Sequence, residues 1–177
     1  VTAAAAPTRE DAPSDWVCRF APRIRAGGSV LDVASGGGRH ARYLAAAGCR
    51  VVAVDIDAVA LQRLTGMAAV ETLVADLEGG PWPFAGRLFD AVVVTRYLHR
   101  PLLMPMVAAL APGGVLIYET FAAGNERYGR PRNPEFLLKN GELLELARGR
   151  LQVIAYEDLY VEAPKPAMIQ RICAQRG

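Results

Sequence analysis

The chain has 177 residues, 52% of them apolar and 21% charged, with 20 Lys and Arg against 18 Asp and Glu and a formal net charge of +2. That length and balance predict one globular domain with its own core and exclude wholesale disorder. So small a net charge excludes binding to a polyanion by bulk electrostatics, so a basic partner site would have to be a local patch.

Cys18, Cys49 and Cys173 are too far apart for a C-x-x-C pair or zinc ligation, and an odd count argues against a closed disulfide framework. They are expected to be buried thiols in a reducing compartment, with no metal bound. Residues 1–7 have neither a basic n-region nor an apolar h-region, and no stretch approaches ~18 uninterrupted apolar residues. The expectation is a cytoplasmic protein without a membrane span.

Residues 1–12 carry Ala, Pro, Thr and alternating charge without periodicity, which predicts a flexible arm ahead of a single domain over 13–177. Ser14 is placed to cap a helix running to about Ile24, with Trp16, Val17, Phe20 and Ile24 on one face. From Ser29 the pattern becomes strand, glycine turn, helix. Strands are predicted over 29–34, 50–54, 70–75, 89–95 and 115–120, each read as an apolar run buried on both faces. Helices are predicted over 39–47, closed by Gly48, and from a cap at Asp57 through Leu64. The segment 81–86 is too short and proline-rich for a crossover helix, which should leave one face of the sheet thinly covered. Beyond 120 come a polar loop over 121–134, a helix over about 141–148 and strands over 151–161 and 167–174. The connection Glu162-Ala163-Pro164-Lys165-Pro166 favours a hairpin between those last two. The whole predicts a doubly wound, mostly parallel α/β sheet with a C-terminal antiparallel hairpin.

In such a sheet the ligand sits outside the carboxyl ends of the strands. The first strand ends Leu31-Asp32-Val33-Ala34-Ser35-Gly36-Gly37-Gly38-Arg39, where glycines allow close backbone approach and the next helix offers free N–H groups. Asp55 closes the second strand, 17 residues after Gly38, well placed to accept hydrogen bonds from a ribose diol. These features predict a nucleoside-cofactor site. Gly36, Gly38 and Ala41 can be laid on the dinucleotide pattern G-x-G-x-x-[GA]. Against a dinucleotide stand the third acid at Asp76, the terminal hairpin and Asp32, which would face a diphosphate four residues from the turn. A cationic ligand suits Asp32 better.

With these motifs in order, the chain resembles the class I S-adenosylmethionine-dependent methyltransferases. Val30-Leu31-Asp32-Val33-Ala34-Ser35-Gly36-Gly37-Gly38 matches that family's first motif, and Val54-Asp55-Ile56-Asp57 resembles its ribose-binding acid followed by an apolar residue. Ala75-Asp76-Leu77 resembles the pair flanking the adenine, and Leu110-Ala111-Pro112-Gly113-Gly114-Val115-Leu116 resembles the turn into the fifth strand. The resemblance covers roughly residues 15–175. It implies a seven-stranded Rossmann-like sheet with a reversed final strand and S-adenosyl-L-methionine as cofactor. The implied binding residues are Asp32, Ala34, Gly36, Gly38, Arg39, Asp55, Ile56, Asp76, Leu77 and Thr95. Asp32 would lie near the cation's amino group or organise the glycine loop, Asp55 would hold the ribose and Asp76 would reach the adenine amine. Gly38-Arg39 and Gly124-Asn125-Glu126-Arg127-Tyr128-Gly129-Arg130-Pro131 are most similar to small tellurite-resistance-type methyltransferases of bacteria, which implies a compact enzyme with a small-molecule acceptor.

The segment Val94-Thr95-Arg96-Tyr97-Leu98-His99-Arg100-Pro101 is not the N-P-P-[YF] sequence of enzymes that methylate nucleobase amino groups, which disfavours nucleic acid. Tyr97, His99 and Glu119 are the catalytic candidates, His99 as general base because imidazole ordinarily titrates near neutrality. His40, on the first turn of a helix, reads better as a packing or capping residue. Arg127, Arg130 and Arg132, with Tyr128 among them, are candidates for binding an anionic acceptor, since guanidinium forks match carboxylate geometry. Solvated loop charges are the plainer reading, and stacking on an RNA base is a minor one. The expected function is methyl transfer to a small acceptor, anionic if the arginines bind it. The alternatives are an NAD-type oxidoreductase and a module that holds the nucleoside cofactor without turnover.

Overall fold

The structure is a computed structural model and describes residues 11–177. Residues 1–10, most of the expected arm, lie outside the described residues. Asp11 and Ala12 are held against the domain: Asp11 lies 3.7 Å from the Arg63 guanidinium, and the Ala12 carbonyl accepts from Arg39 at 3.2 Å.

Seven strands form one sheet: β1 (Ser29–Val33), β2 (Arg50–Asp55), β3 (Val70–Val74), β4 (Phe89–Thr95), β5 (Leu110–Phe121), β6 (Leu151–Val161) and β7 (Ala167–Arg176). Their order is β3-β2-β1-β4-β5-β7-β6, parallel through β5, with β7 antiparallel to both β5 and β6. Among the described residues, five helices flank it: α1 (Asp15–Phe20), α2 (Arg39–Ala46), α3 (Ala58–Leu61), α4 (Leu103–Ala108) and α5 (Glu142–Ala147).

The two-residue period of the strands sorts their apolar side chains into two cores. Val30, Val51, Ala53, Ala91, Val93, Val115 and Ile117 point to the face covered by α1, α2 and α3, where Trp16, Leu44 and Leu61 meet them. Leu31, Val33, Val52, Val54, Val92, Val94, Leu116 and Tyr118 point to the other face, against Met106, Leu143 and Leu146. No helix joins β3 to β4, so that second face depends on an edge-to-face aromatic stack. Trp82 lies 5.2 Å from Phe84, and Phe84 lies 5.7 Å from Phe89.

Three expectations are corrected. β3 is an edge strand with Glu71, Thr72 and Val74 exposed, because nothing pairs with its outer side; it is not buried on both faces. The first helix stops at Phe20 and tightens into a 3-10 turn, Ala21–Arg23, since Pro22 has no N–H to continue the ladder. Of the three free cysteines, Cys49 and Cys173 are buried but Cys18 is only partly so. The Ser14 cap forms as expected, its side chain accepting from the Trp16 N–H at 3.1 Å.

Candidate active site

Strand order reverses between β1 and β4, and there the loops leaving the two strands diverge and open a crevice. Among the described residues, the non-glycine residues with left-handed φ are Ala34 at 53° and Arg96 at 54°, one at the carboxyl end of each of these strands. Such backbone costs about 1–3 kcal/mol and collects where function demands it. Arg96 carried no signal in the sequence, because its strain arises from the turn after β4.

The glycine loop has two distinct requirements. Gly38, at φ 71°, begins α2, and a Cβ there would stand 2.5 Å from the Leu64 side chain, so both conformation and packing demand glycine. Gly36, at φ 52°, faces open space, so its missing side chain leaves room above the loop. The Gly36 N–H donates to Asp55 Oδ2 at 2.7 Å, and the Asp57 N–H donates to Asp55 Oδ1 at 2.9 Å. Each carboxylate oxygen keeps a lone pair for a further donor. Asp57 in turn caps α3, accepting from the Val59 and Ala60 N–H groups.

Asp32 lies under the start of α2 with 1% of its surface exposed, and its Oδ2 has no hydrogen-bond partner among the described residues. Burial pushes its carboxyl up to about 7, against the pull of the Ala41 N–H and the Arg39 guanidinium. Ser35 Oγ, in the turn after β1, is also buried without a partner among the described residues. Asp76 Oδ1 accepts from the Glu78 and Gly79 N–H groups at 3.0 and 2.9 Å, which holds the carboxyl below its ordinary range. The His99 imidazole adds to that effect. Ile56 is 65% exposed between these acids, whereas the Leu77 side chain is buried in the core, so only its backbone is left to face a ligand.

The structure fits a nucleoside carrying a positive charge. At the carboxyl ends of β1, β2 and β3 it places two buried polar atoms without partners among the described residues (Asp32 Oδ2 and Ser35 Oγ), an unfilled space over Gly36, the carboxylates of Asp55 and Asp76, and the exposed apolar side chain of Ile56. A diphosphate would meet three carboxylates.

Of the three catalytic candidates, Tyr97 alone lines the cleft of about 300 Å³ between the ends of β4 and β5. Burial, then the Glu78 carboxylate, pushes its phenol well above the ordinary range. His99 begins the 3-10 turn Arg100–Leu102. Glu119 is committed elsewhere: it accepts from Ser14 Oγ at 2.8 Å and from Arg171 Nη1 at 3.0 Å. Thr95 is joined to His40, whose Nε2 accepts from the Ser14 N–H at 3.1 Å; Nδ1 therefore carries the proton and faces Thr95 Oγ1 at 3.3 Å. Burial lowers His40 to about 3, so it stays neutral.

Of the arginines of the loop after β5, Arg132 lines a cleft and Arg127 and Arg130 do not. Arg127 and Arg130 are exposed, and Tyr128 stacks on Tyr160 of β6 at 4.9 Å instead of standing between them. Arg132 lines a second cleft, of about 340 Å³, with Arg100 and Lys139 and with the carboxylates of Glu126 and Glu135. Two loop anchors carried no sequence signal. Buried Asn125 donates to the Pro131 carbonyl and accepts from the Met168 N–H; Arg100 holds the Glu135 and Leu137 carbonyls and the Glu142 carboxylate.

Residues 30–114 match the family model described as a methyltransferase domain. The chain carries a class I S-adenosylmethionine-dependent methyltransferase domain. An uncharacterized methyltransferase of Mycobacterium tuberculosis is 39% identical over an alignment covering 56% of this chain and 54% of that protein. The chain thus spans about half the length of the curated relatives it matches. In fold, the methyltransferase domain is similar to TehB from Haemophilus influenzae, with a TM-score of 0.75 at 18% identity over 92% of this chain and 62% of that one. It is also similar to coclaurine N-methyltransferase, solved with N-methylheliamine and SAH, at 0.68 and 13% over 92% and 71%. Among the described residues, no helix is long and apolar enough to cross a membrane.

Proposed function

We propose that this chain transfers the methyl group of S-adenosylmethionine to a small acceptor at the carboxyl edge of β4 and β5. The observation that carries this reading is the set of carboxylates at the carboxyl ends of three neighbouring strands, Asp32 of β1, Asp55 of β2 and Asp76 after β3, with the space over Gly36 left open. Asp55 would accept from the ribose hydroxyls, Asp76 Oδ2 from the adenine amine, and Ile56 would lie against the base. Asp32 and Ser35 would supply the buried polar end. Thr95, fixed by His40, lies on β4 between the two sides of the crevice.

Bound S-adenosylmethionine supplies a methyl group on a sulfonium, which an acceptor lone pair takes in line while the C–S bond breaks and its electrons stay on sulfur. The protein's part is alignment and exclusion of water. Tyr97 reaches the acceptor side. His99, acting on Asp76, belongs with the cofactor's polar contacts, and Glu119 is a positioning residue for α1. The loop arginines stay outside the cleft between β4 and β5: Arg132 lines the other cleft, where Glu126 and Glu135 offset Arg100 and Lys139, and Arg127 and Arg130 are left as solvated charges.

Calorimetry with S-adenosylhomocysteine is the test. Asp55→Ala should weaken binding by about 1–3 kcal/mol, since the ribose loses a charged partner and the Gly36 N–H loses its acceptor. Unchanged affinity in a folded variant would remove the ribose assignment. Acceptor-dependent formation of S-adenosylhomocysteine separates an enzyme from a binding module, and binding of NAD in its place would favour the oxidoreductase.

A further inference from the structure

Next to the nucleoside site, the cleft between β4 and β5 has a chemistry of its own. Tyr97, Leu98, Phe121, Pro131 and Phe136 wall it, and its volume of about 300 Å³ stands at the lower end of the range for small-molecule sites, roughly 300–1,000 Å³. Phe136 is 49% exposed at the rim, in the 3-10 turn Pro134–Phe136, although a large aromatic ring in water forgoes burial free energy. The Tyr97 hydroxyl is buried and makes no hydrogen bond of good geometry among the described residues; the Glu78 carboxylate in the same cleft is the acceptor that acts on it, and a ligand atom of better geometry would take its place. A buried hydroxyl without a well-formed hydrogen bond forfeits free energy that a ligand acceptor recovers. Glu78 and Arg96 both line the cleft, so their opposite charges give no net field that would favour a small anion.

We propose that this cleft holds the methyl acceptor, and that the acceptor is a flat, largely apolar molecule of one or two rings with a polar atom that accepts a hydrogen bond from Tyr97. The inference rests on the methyltransferase reading above and gives it an acceptor class. Phe121 and Phe136 supply aromatic surface, against which a planar ring gains offset or edge contacts as well as area. Because burial and Glu78 disfavour its anion, the Tyr97 phenol acts as donor and not as base. A small oxyanion would leave these apolar walls wet and the Phe136 ring exposed.

The test is a ligand-observed NMR titration of 2-naphthol against the full chain, alone and with saturating S-adenosylhomocysteine, with calorimetry of S-adenosylhomocysteine in parallel. Phe136 is half exposed and Tyr97→Phe keeps the ring, so both variants should fold. 2-Naphthol should bind the parent. Phe136→Ser should weaken it about fivefold or more and Tyr97→Phe about two- to tenfold, with nucleoside affinity changed less than about twofold in each. Failure of 2-naphthol to bind, or equal binding by all three proteins, overturns the acceptor class. If 2-naphthol behaves as expected but S-adenosylhomocysteine does not bind the parent, the cofactor reading fails and the cleft stands as a binding site without it.

Discussion

Asp32 and His40 lie on either side of the glycine loop and titrate with opposite signs. Asp32 is raised from 3.8 to about 7, so between those values the folded state binds more protons than the unfolded one, and stability falls as pH rises. His40 is lowered from 6.5 to about 3, so the unfolded state binds more protons and stability rises with pH over that range. The two slopes oppose each other between about 4 and 6.5, each up to about 1.4 kcal/mol per pH unit. Urea midpoints should therefore be nearly flat there in the parent. They should rise with pH in Asp32→Asn and fall with pH in His40→Gln. Parallel profiles in all three proteins would show that neither group is perturbed. His99 makes a different prediction. Because it acts on Asp76, His99→Gln should weaken nucleoside affinity less than about tenfold and leave kcat within about tenfold; a loss of about 10²- to 10⁴-fold in kcat would restore it as general base.

At the scale of elements, the segment between β5 and α5 is better fixed than its polar sequence suggests. Arg100 donates from Nε to Glu142 Oε1 at 2.7 Å, from Nη1 to the Glu135 carbonyl at 2.8 Å and from Nη2 to the Leu137 carbonyl at 2.9 Å. One side chain thus joins the turn after β4, the loop and the start of α5, with Glu142 drawn below its ordinary range despite burial. Arg100→Gln should cost about 1–3 kcal/mol of stability, because two carbonyls and a half-buried carboxylate lose their donor. Hydrogen exchange would show the loss concentrated in residues 122–138. Uniform loss of protection across the sheet would mean that Arg100 holds the whole fold instead of this loop.

Across the whole molecule, one polar chain links both ends of the sequence over the lip of the site. Ser14 at the start of α1 contacts His40 and Glu119; Glu119 pairs with Arg171 of β7, which also pairs with Glu157 of β6 and lies 4.6 Å over the Trp16 ring. Glu119→Gln keeps the shape and removes the charge, so stability should fall by about 1–3 kcal/mol while cofactor affinity stays within about threefold. Chemical denaturation with calorimetry checks both. A collapse of kcat at full stability would return Glu119 to the catalytic residues.

Local pattern determined much of this protein. The alternation of apolar runs with glycine turns pointed to a parallel sheet, Pro164 and Pro166 marked the hairpin, and Asp32, Asp55 and Asp76 were legible because Asp32 is the penultimate residue of β1, Asp55 ends β2 and Asp76 follows β3, where the parallel topology sends all three to one edge. Distances between elements were not legible. Glu119 and Arg171 are 52 residues apart, and nothing local told that they pair and so withdraw Glu119 from the acceptor. The loop arginines stand within six residues of one another, yet among them only Arg132 lines a cleft, with Asn125 holding the Pro131 carbonyl and Tyr128 drawn onto Tyr160 of β6. The φ of Arg96, the buried Tyr97 hydroxyl and the cleft wall shared by Leu98, Phe121 and Phe136 exist only once β4, β5 and the loop are packed together. Spacing along a chain sets which edge of a sheet a residue reaches, whereas burial and partner choice depend on what the rest of the chain brings there.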